Sequence, residues 1–115
     1  MKKKIFSALT LLLVLSTIIV SCSKSGYGSN NTATTYTVSI VNMAFTPDTL
    51  TVPMGTTVTW NNNDNIAHTV TADDNSFDSG NIAGGGKFTK MFATTGTYSY
   101  HCTIHTNMKA TIMVK

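Results

Sequence analysis

Thr95-Gly-Thr-Tyr-Ser-Tyr-His-Cys-Thr-Ile-His-Thr-Asn-Met108 decides both the architecture and the chemistry of this chain. Its first half reads as a late strand that opens at Thr95 and ends at Cys102. Its second half sets a thiol at Cys102, an imidazole at His105 and a thioether at Met108, three soft or borderline donors at steps of three within one short loop. Ala110, Ile112 and Val114 follow on one face of a last strand. A strand that runs into a ligand-rich loop and out into another strand outlines a metal site at one end of a β structure.

A short loop cannot surround an ion, so a further ligand has to come from a distant segment. His68, in Asn65-Ile-Ala-His-Thr-Val70, is the one candidate outside the cluster. Two imidazoles and a thiolate with a long axial thioether form a set that serves both oxidation states of copper. His101 neighbours Cys102 on the strand, so its side chain should project from the opposite face and stay off the metal. Met43, Met54, Met91 and Met113 lack the spacing of an axial ligand and are expected mostly as packing residues.

The N-terminus reads as an export signal. Met1-Lys-Lys-Lys4 is basic, and Ile5 to Val20 is apolar apart from Ser7, Thr10, Ser16 and Thr17. Ile19-Val20-Ser21-Cys22 resembles a bacterial lipobox, which makes Cys22 the expected lipidated first residue of the mature chain. Residues 1–21 are thus expected as signal peptide, 22–35 as lipidated cysteine and tether, and 36–115 as one domain. Ser23 to Thr35 is rich in Gly, Ser, Asn and Thr, and a coil of that length spans roughly 20 Å. Loss of Lys2, Lys3 and Lys4 with the signal leaves five basic residues against five acidic ones. That balance offers nucleic acid no basic stripe. If Cys22 carries lipid, Cys102 has no thiol partner, and a metal is a good occupant for a lone thiol in an oxidising compartment. The alternatives are a Cys22 to Cys102 disulfide or an inert buried thiol.

From Tyr36 onward the hydrophobic period is two. Tyr36, Val38 and Ile40 share a face; Phe45 and Pro47 mark a turn; Leu50 and Val52 form a short strand broken at Pro53-Met-Gly55. Thr56 to Trp60 follows, with Val58 and Trp60 inward. Asn61-Asn-Asn-Asp-Asn65 is expected as a loop, because such side chains bond their own backbone. His68 to Thr71 is the next expected strand, and Gly84-Gly-Gly86 permits a tight bend before Lys87 to Phe92. Gly96-x-Tyr98 resembles the tyrosine corner of Greek-key sandwiches. Seven or eight short strands without a helical period indicate an antiparallel β-sandwich. So small a domain buries only about 60% of its unfolded surface, so a bound metal would add materially to its stability.

With these residues in view, Gly55-x-x-Val58-x-Trp60, His68-x-Val70, Phe77-Asp-Ser-Gly80, Gly96-x-Tyr98-x-Tyr100 and Cys102-x-x-His105-x-x-Met108 are similar, in kind and order, to the small cupredoxins. The two-residue gap between His105 and Met108 resembles amicyanin rather than plastocyanin or pseudoazurin. The resemblance spans roughly Val38 to Val114. It implies a Greek-key β-sandwich with one type 1 (blue) copper, held by His68, Cys102, His105 and Met108. Relatives often carry Pro before the first ligand histidine and Asn after it, where this chain has Ala67 and Thr69. That Asn commonly ties the two ligand loops, and the Thr69 hydroxyl is the expected substitute. Ile104 stands where amicyanin-like loops usually have Pro.

The resemblance implies a monomeric carrier of single electrons between redox partner proteins (a cytochrome, oxidase, reductase or dehydrogenase), held to the membrane through Cys22 and facing the periplasm. Electrons would pass through His105 beside Ala67 and Ile104. Copper storage, delivery or buffering uses the same ligands and is the alternative. Catalysis is not expected: multicopper oxidases and nitrite reductases need more histidines than His68, His101 and His105, and no paired carboxylate or base beside a nucleophile is visible. Met54 or Ile66 would border an exposed apolar patch. Asp73, Asp74 and Asp78 read either as a docking patch or as a solvated edge.

Overall fold

The computed structural model describes residues 34–115; the expected signal peptide, Cys22 and most of the tether lie outside them. The described residues form eight strands and no helix: β1 (Tyr36–Val41), β2 (Ala44–Thr46), β3 (Thr49–Val52), β4 (Thr56–Asn62), β5 (Thr71–Ala72), β6 (Lys87–Phe92), β7 (Gly96–His101) and β8 (Lys109–Val114). One sheet runs β2-β1-β4-β6 and the other β3-β8-β7-β5. The expected all-β sandwich is therefore present.

Its pairing is not antiparallel throughout. β1 pairs with β4, and β3 with β8, in parallel. Hairpins reverse the chain between β1 and β2 and between β7 and β8. After β2 the chain leaves for the other sheet and returns as β4, which restores its original direction beside β1. A crossover of this kind, unlike a hairpin, is free to deliver a parallel neighbour.

Alternation builds the core. Val38, Ile40, Val58, Trp60 and Phe92 point inward from the first sheet, and Val52, Ala72, Tyr100, Ala110, Ile112 and Val114 from the second. Trp60 meets Tyr100 edge-on across the layer at 5.6 Å between centroids, and Phe45 meets the same ring at 4.8 Å. Tyr98 Oη donates to the Thr94 carbonyl at 2.7 Å, the bond of a tyrosine corner, which fixes the entry to β7.

Three local expectations change. Phe45, expected in a turn, is buried in β2; the turn is one step earlier, at Asn42 and Met43, both left-handed at φ 52° and 61°. Two such residues suit a tight two-residue hairpin. The strand expected over His68 to Thr71 is reduced to β5, with His68 held by a single bridge to Ile82. The asparagine run is not all loop: Asn62 ends β4, continues the inward face of Val58 and Trp60, and is 1% exposed. Its Nδ2 donates to the carbonyls of Ile66 (2.8 Å), Ile82 (2.9 Å) and Ala83 (3.2 Å), and its Oδ1 accepts from the Asp64 amide at 3.1 Å. Asn62 is thus the buried hub of the loop that carries His68.

Met43, Met54 and Met91, expected as packing residues, are exposed. Met54 and Ile66, each expected beside an exposed apolar patch, are both exposed.

Candidate metal centre

Two loops meet at one end of the sandwich. The first runs from β4 to β5 and carries His68, whose amide and carbonyl pair with Ile82 at 3.1 and 2.8 Å. The second runs from β7 to β8 and is closed by the Cys102 amide donating to the Met108 carbonyl (3.1 Å) and the Met108 amide to the His105 carbonyl (3.0 Å). Cys102 lies just past the end of β7, where the sheet delivers it to the buried end of the layer. His68 and Cys102 are fully buried, Met108 nearly so, and His105 is half-buried.

The three expected ligands from His and Cys converge. Cys102 Sγ lies 3.9 Å from His68 Nδ1 and 4.0 Å from His105 Nδ1, and the two nitrogens are 3.1 Å apart. They are the metal-suited cluster among the described residues. Two imidazole nitrogens and a sulfur, closed into a small triangle, with the buried Met108 on the same loop as Cys102 and His105, suit a small cation of soft or borderline character. The donor set fits copper. His101 stays away, as expected: its Nδ1 meets Asp73 Oδ1 at 2.5 Å on the opposite face of β7.

Hydrogen bonds prepare the sulfur. The amides of Thr69 (3.3 Å) and His105 (3.4 Å) donate to Cys102 Sγ. Burial alone would push this thiol up; donation from the amides of Thr69, His105 and Ile104 opposes it, and Cys102 comes down to about 6. The site thus favours the thiolate over the thiol. Thr69 also ties the two loops, as its position suggested: its Oγ1 accepts from the Thr103 amide at 2.8 Å and contacts the hydroxyls of Thr103 (3.1 Å) and Thr71 (3.0 Å).

Two residues behind the triangle escaped the sequence reading. Asn62 would have been found by extending the alternation of β4 by two. Asp64 stands four residues before His68, and its Oδ2 takes His68 Nε2 at 2.9 Å. The amide of Met43, with His68 and the amide of Asn42, holds the Asp64 carboxyl below the usual carboxylate range against the opposing effect of burial. Asp74 and Asp78 bond locally: Asp74 accepts from the Ser76 amide, and Asp78 from Thr71 Oγ1 and the Gly80 amide.

Comparison with known proteins agrees with this geometry. The family model of the cupredoxin-like domain matches residues 9–114. Over 86 residues the chain is 34% identical to plastocyanin of Scenedesmus fuscus, covering 64% of this chain and 88% of that protein. The reduced Cu(I) form of an amicyanin variant superposes with a TM-score of 0.66 and 29% identity, over 70% of this chain and 82% of amicyanin. A copper-containing nitrite reductase from Thermus scotoductus SA-01 gives the same TM-score at 30% identity, over 70% of this chain but only 22% of the reductase. A Cys-His-His triangle at the end of a two-sheet β-sandwich, together with these likenesses, assigns the chain to the cupredoxin family.

Proposed function

We infer that this protein is a type 1 blue copper protein that carries single electrons, in which His68, Cys102, His105 and Met108 would hold the metal. The observation that carries the reading is the triangle of Cys102 Sγ and the two Nδ1 atoms, with edges of 3.1 to 4.0 Å, built by loops already locked to each other. Bound copper supplies a one-electron Cu(I)/Cu(II) couple. The protein supplies a fixed cradle. Thr69 and Thr103 clamp the loops, two amides hold the sulfur, and Asp64 holds one imidazole, so the ligands have little freedom to rearrange when the charge at the site changes. Small rearrangement means fast transfer.

His105 is the half-exposed member of the set, and the exposed side chains of Ile66 and Ile104 stand beside the ligands in sequence. This edge is the proposed contact for redox partner proteins, which an apolar surface lets come close. In this reading the protein acts as an electron carrier; its match to the nitrite reductase covers only 22% of that enzyme, so the reductase's activity is not carried over to it. We also propose export, lipidation at Cys22, a periplasm-facing location at the membrane and a monomeric state. The pattern Ile19-Val20-Ser21-Cys22 after a basic and apolar leader supports the first three of these. Intact mass of the purified mature chain tests the anchor, since Cys22→Ala should lose the lipid mass and release the protein from membranes.

Voltammetry of the full-length, copper-loaded protein tests the function. A reversible one-electron wave, with copper retained in both oxidation states against a chelator, is the expected result. Irreversible response with rapid loss of metal to the chelator would instead mark a copper buffer.

A further inference from the structure

The Asp64 carboxylate is engaged on every side. Oδ1 accepts from the Asn42 amide at 2.8 Å; Oδ2 accepts from the Met43 amide at 3.0 Å and faces His68 Nε2 at 2.9 Å. Asn42 and Met43 are both left-handed, and that turn aims two consecutive amides at one carboxylate. On the other side, a Cβ at Gly84 would come within 2.8 Å of the Asp64 carbonyl oxygen and the Asn65 carbonyl carbon, so the loop has no slack there either. Asp64 is only partly exposed, and the ring it faces is fully buried.

We propose that Asp64 is a positioning residue for the metal centre. It keeps His68 in the tautomer that carries its proton on Nε2, turns the Nδ1 lone pair toward Cys102, and places a fixed negative charge behind one ligand. This proposal rests on the copper reading for its redox consequence, though not for the tautomer. The argument for the tautomer is elementary: a carboxylate can only accept, so the nitrogen facing it carries the proton and the other ring nitrogen is left as the donor atom for a metal. That other nitrogen is the one 3.9 Å from Cys102 Sγ. The argument for the charge is Coulombic. A negative charge at this range favours the dication over the monocation, whereas a backbone carbonyl in the same place would orient the ring without adding charge.

The test uses the full-length protein and two variants. In copper-free protein, nitrogen NMR of the imidazoles should show His68 as the Nε2–H tautomer, and D64A should convert it to a mixture. In copper-loaded protein, D64N, which removes the charge and keeps an acceptor, should reduce the preference for Cu(II) over Cu(I) about tenfold, a rise of ~59 mV in reduction potential for one electron. An unchanged tautomer in D64A, or a potential in D64N that corresponds to less than a twofold change, overturns the proposal. Should D64A fail to fold, the potential of D64N decides alone. If the wild-type protein forms no copper–thiolate centre, the copper reading falls by itself, and the tautomer measurement still decides the positioning role.

Discussion

The Thr69 amide donates to Cys102 Sγ at 3.3 Å, joining residues 33 positions apart, while the Thr69 hydroxyl accepts from the Thr103 amide at 2.8 Å. One residue therefore both dresses the sulfur and clamps the two loops that supply the ligands. In Thr69→Val the amide bond to sulfur survives and the hydroxyl is lost, which leaves the Thr103 amide without its partner, while the Thr71 hydroxyl keeps Asp78. A cost of about 1–3 kcal/mol follows. Urea unfolding of the copper-free protein should show it, with Thr69→Ser close to wild type; an unchanged midpoint in the valine variant would remove the clamp from the account.

Cys102 makes the copper-free protein sensitive to pH. Its folded value of about 6 lies below the ordinary value of 9.0 for a free thiol, so folding favours the thiolate. The resulting stability is complete above about pH 9 and is lost as pH falls through about 6. The difference across that window is on the order of a few kcal/mol. Denaturant midpoints measured from pH 5 to 9.5 should rise with pH in the wild type and stay flat over the same range in Cys102→Ser. A flat wild-type curve would show that the amides do not hold a thiolate.

Asn62 donates to three carbonyls from a site 1% exposed. Asn62→Asp is nearly the same shape, yet it sets an acceptor against three acceptors and buries a charge. It should cost more than ~3 kcal/mol and more than Asn62→Ala, which only deletes the donors. If the two variants melt together, the buried hub is not held by these bonds.

Gly84 passes against the backbone of Asp64 and Asn65. Gly84→Ala has to displace that loop, because the clash is with backbone and not with a movable side chain. The displacement should weaken copper retention and lower thermal stability together, whereas Gly85→Ala, with open space around its Cβ but a left-handed φ of 79°, should lower stability and leave copper retention intact.

Much of this was legible in the residues. The period of two placed Val38, Ile40, Val58, Trp60, Ile112 and Val114 in the core, because alternation needs only the pleat. His68, Cys102 and His105 were legible as a converging set because ligand types are few and one loop cannot encircle an ion. Less was legible wherever a polar residue took a buried role. The run Asn61 to Asn65 has one composition and three fates: Asn62 is a buried hub, Asp64 a ligand's partner, and Asn63 and Asn65 are exposed. Composition averages over them, while the strand register separates them. The parallel pairing of β1 with β4 was equally hidden, since side-chain alternation is the same for either strand direction. The Asn42-Met43 turn carried no glycine, and its left-handed geometry is supported by the Asp64 carboxylate 21 and 22 residues away.

The most direct measurement is the visible and electron paramagnetic resonance spectrum of the full-length protein after addition of Cu(II). The account predicts an intense blue thiolate-to-copper band with a narrow copper hyperfine splitting, both absent in Cys102→Ser. A pale complex with wide hyperfine splitting that persists without Cys102 would contradict it.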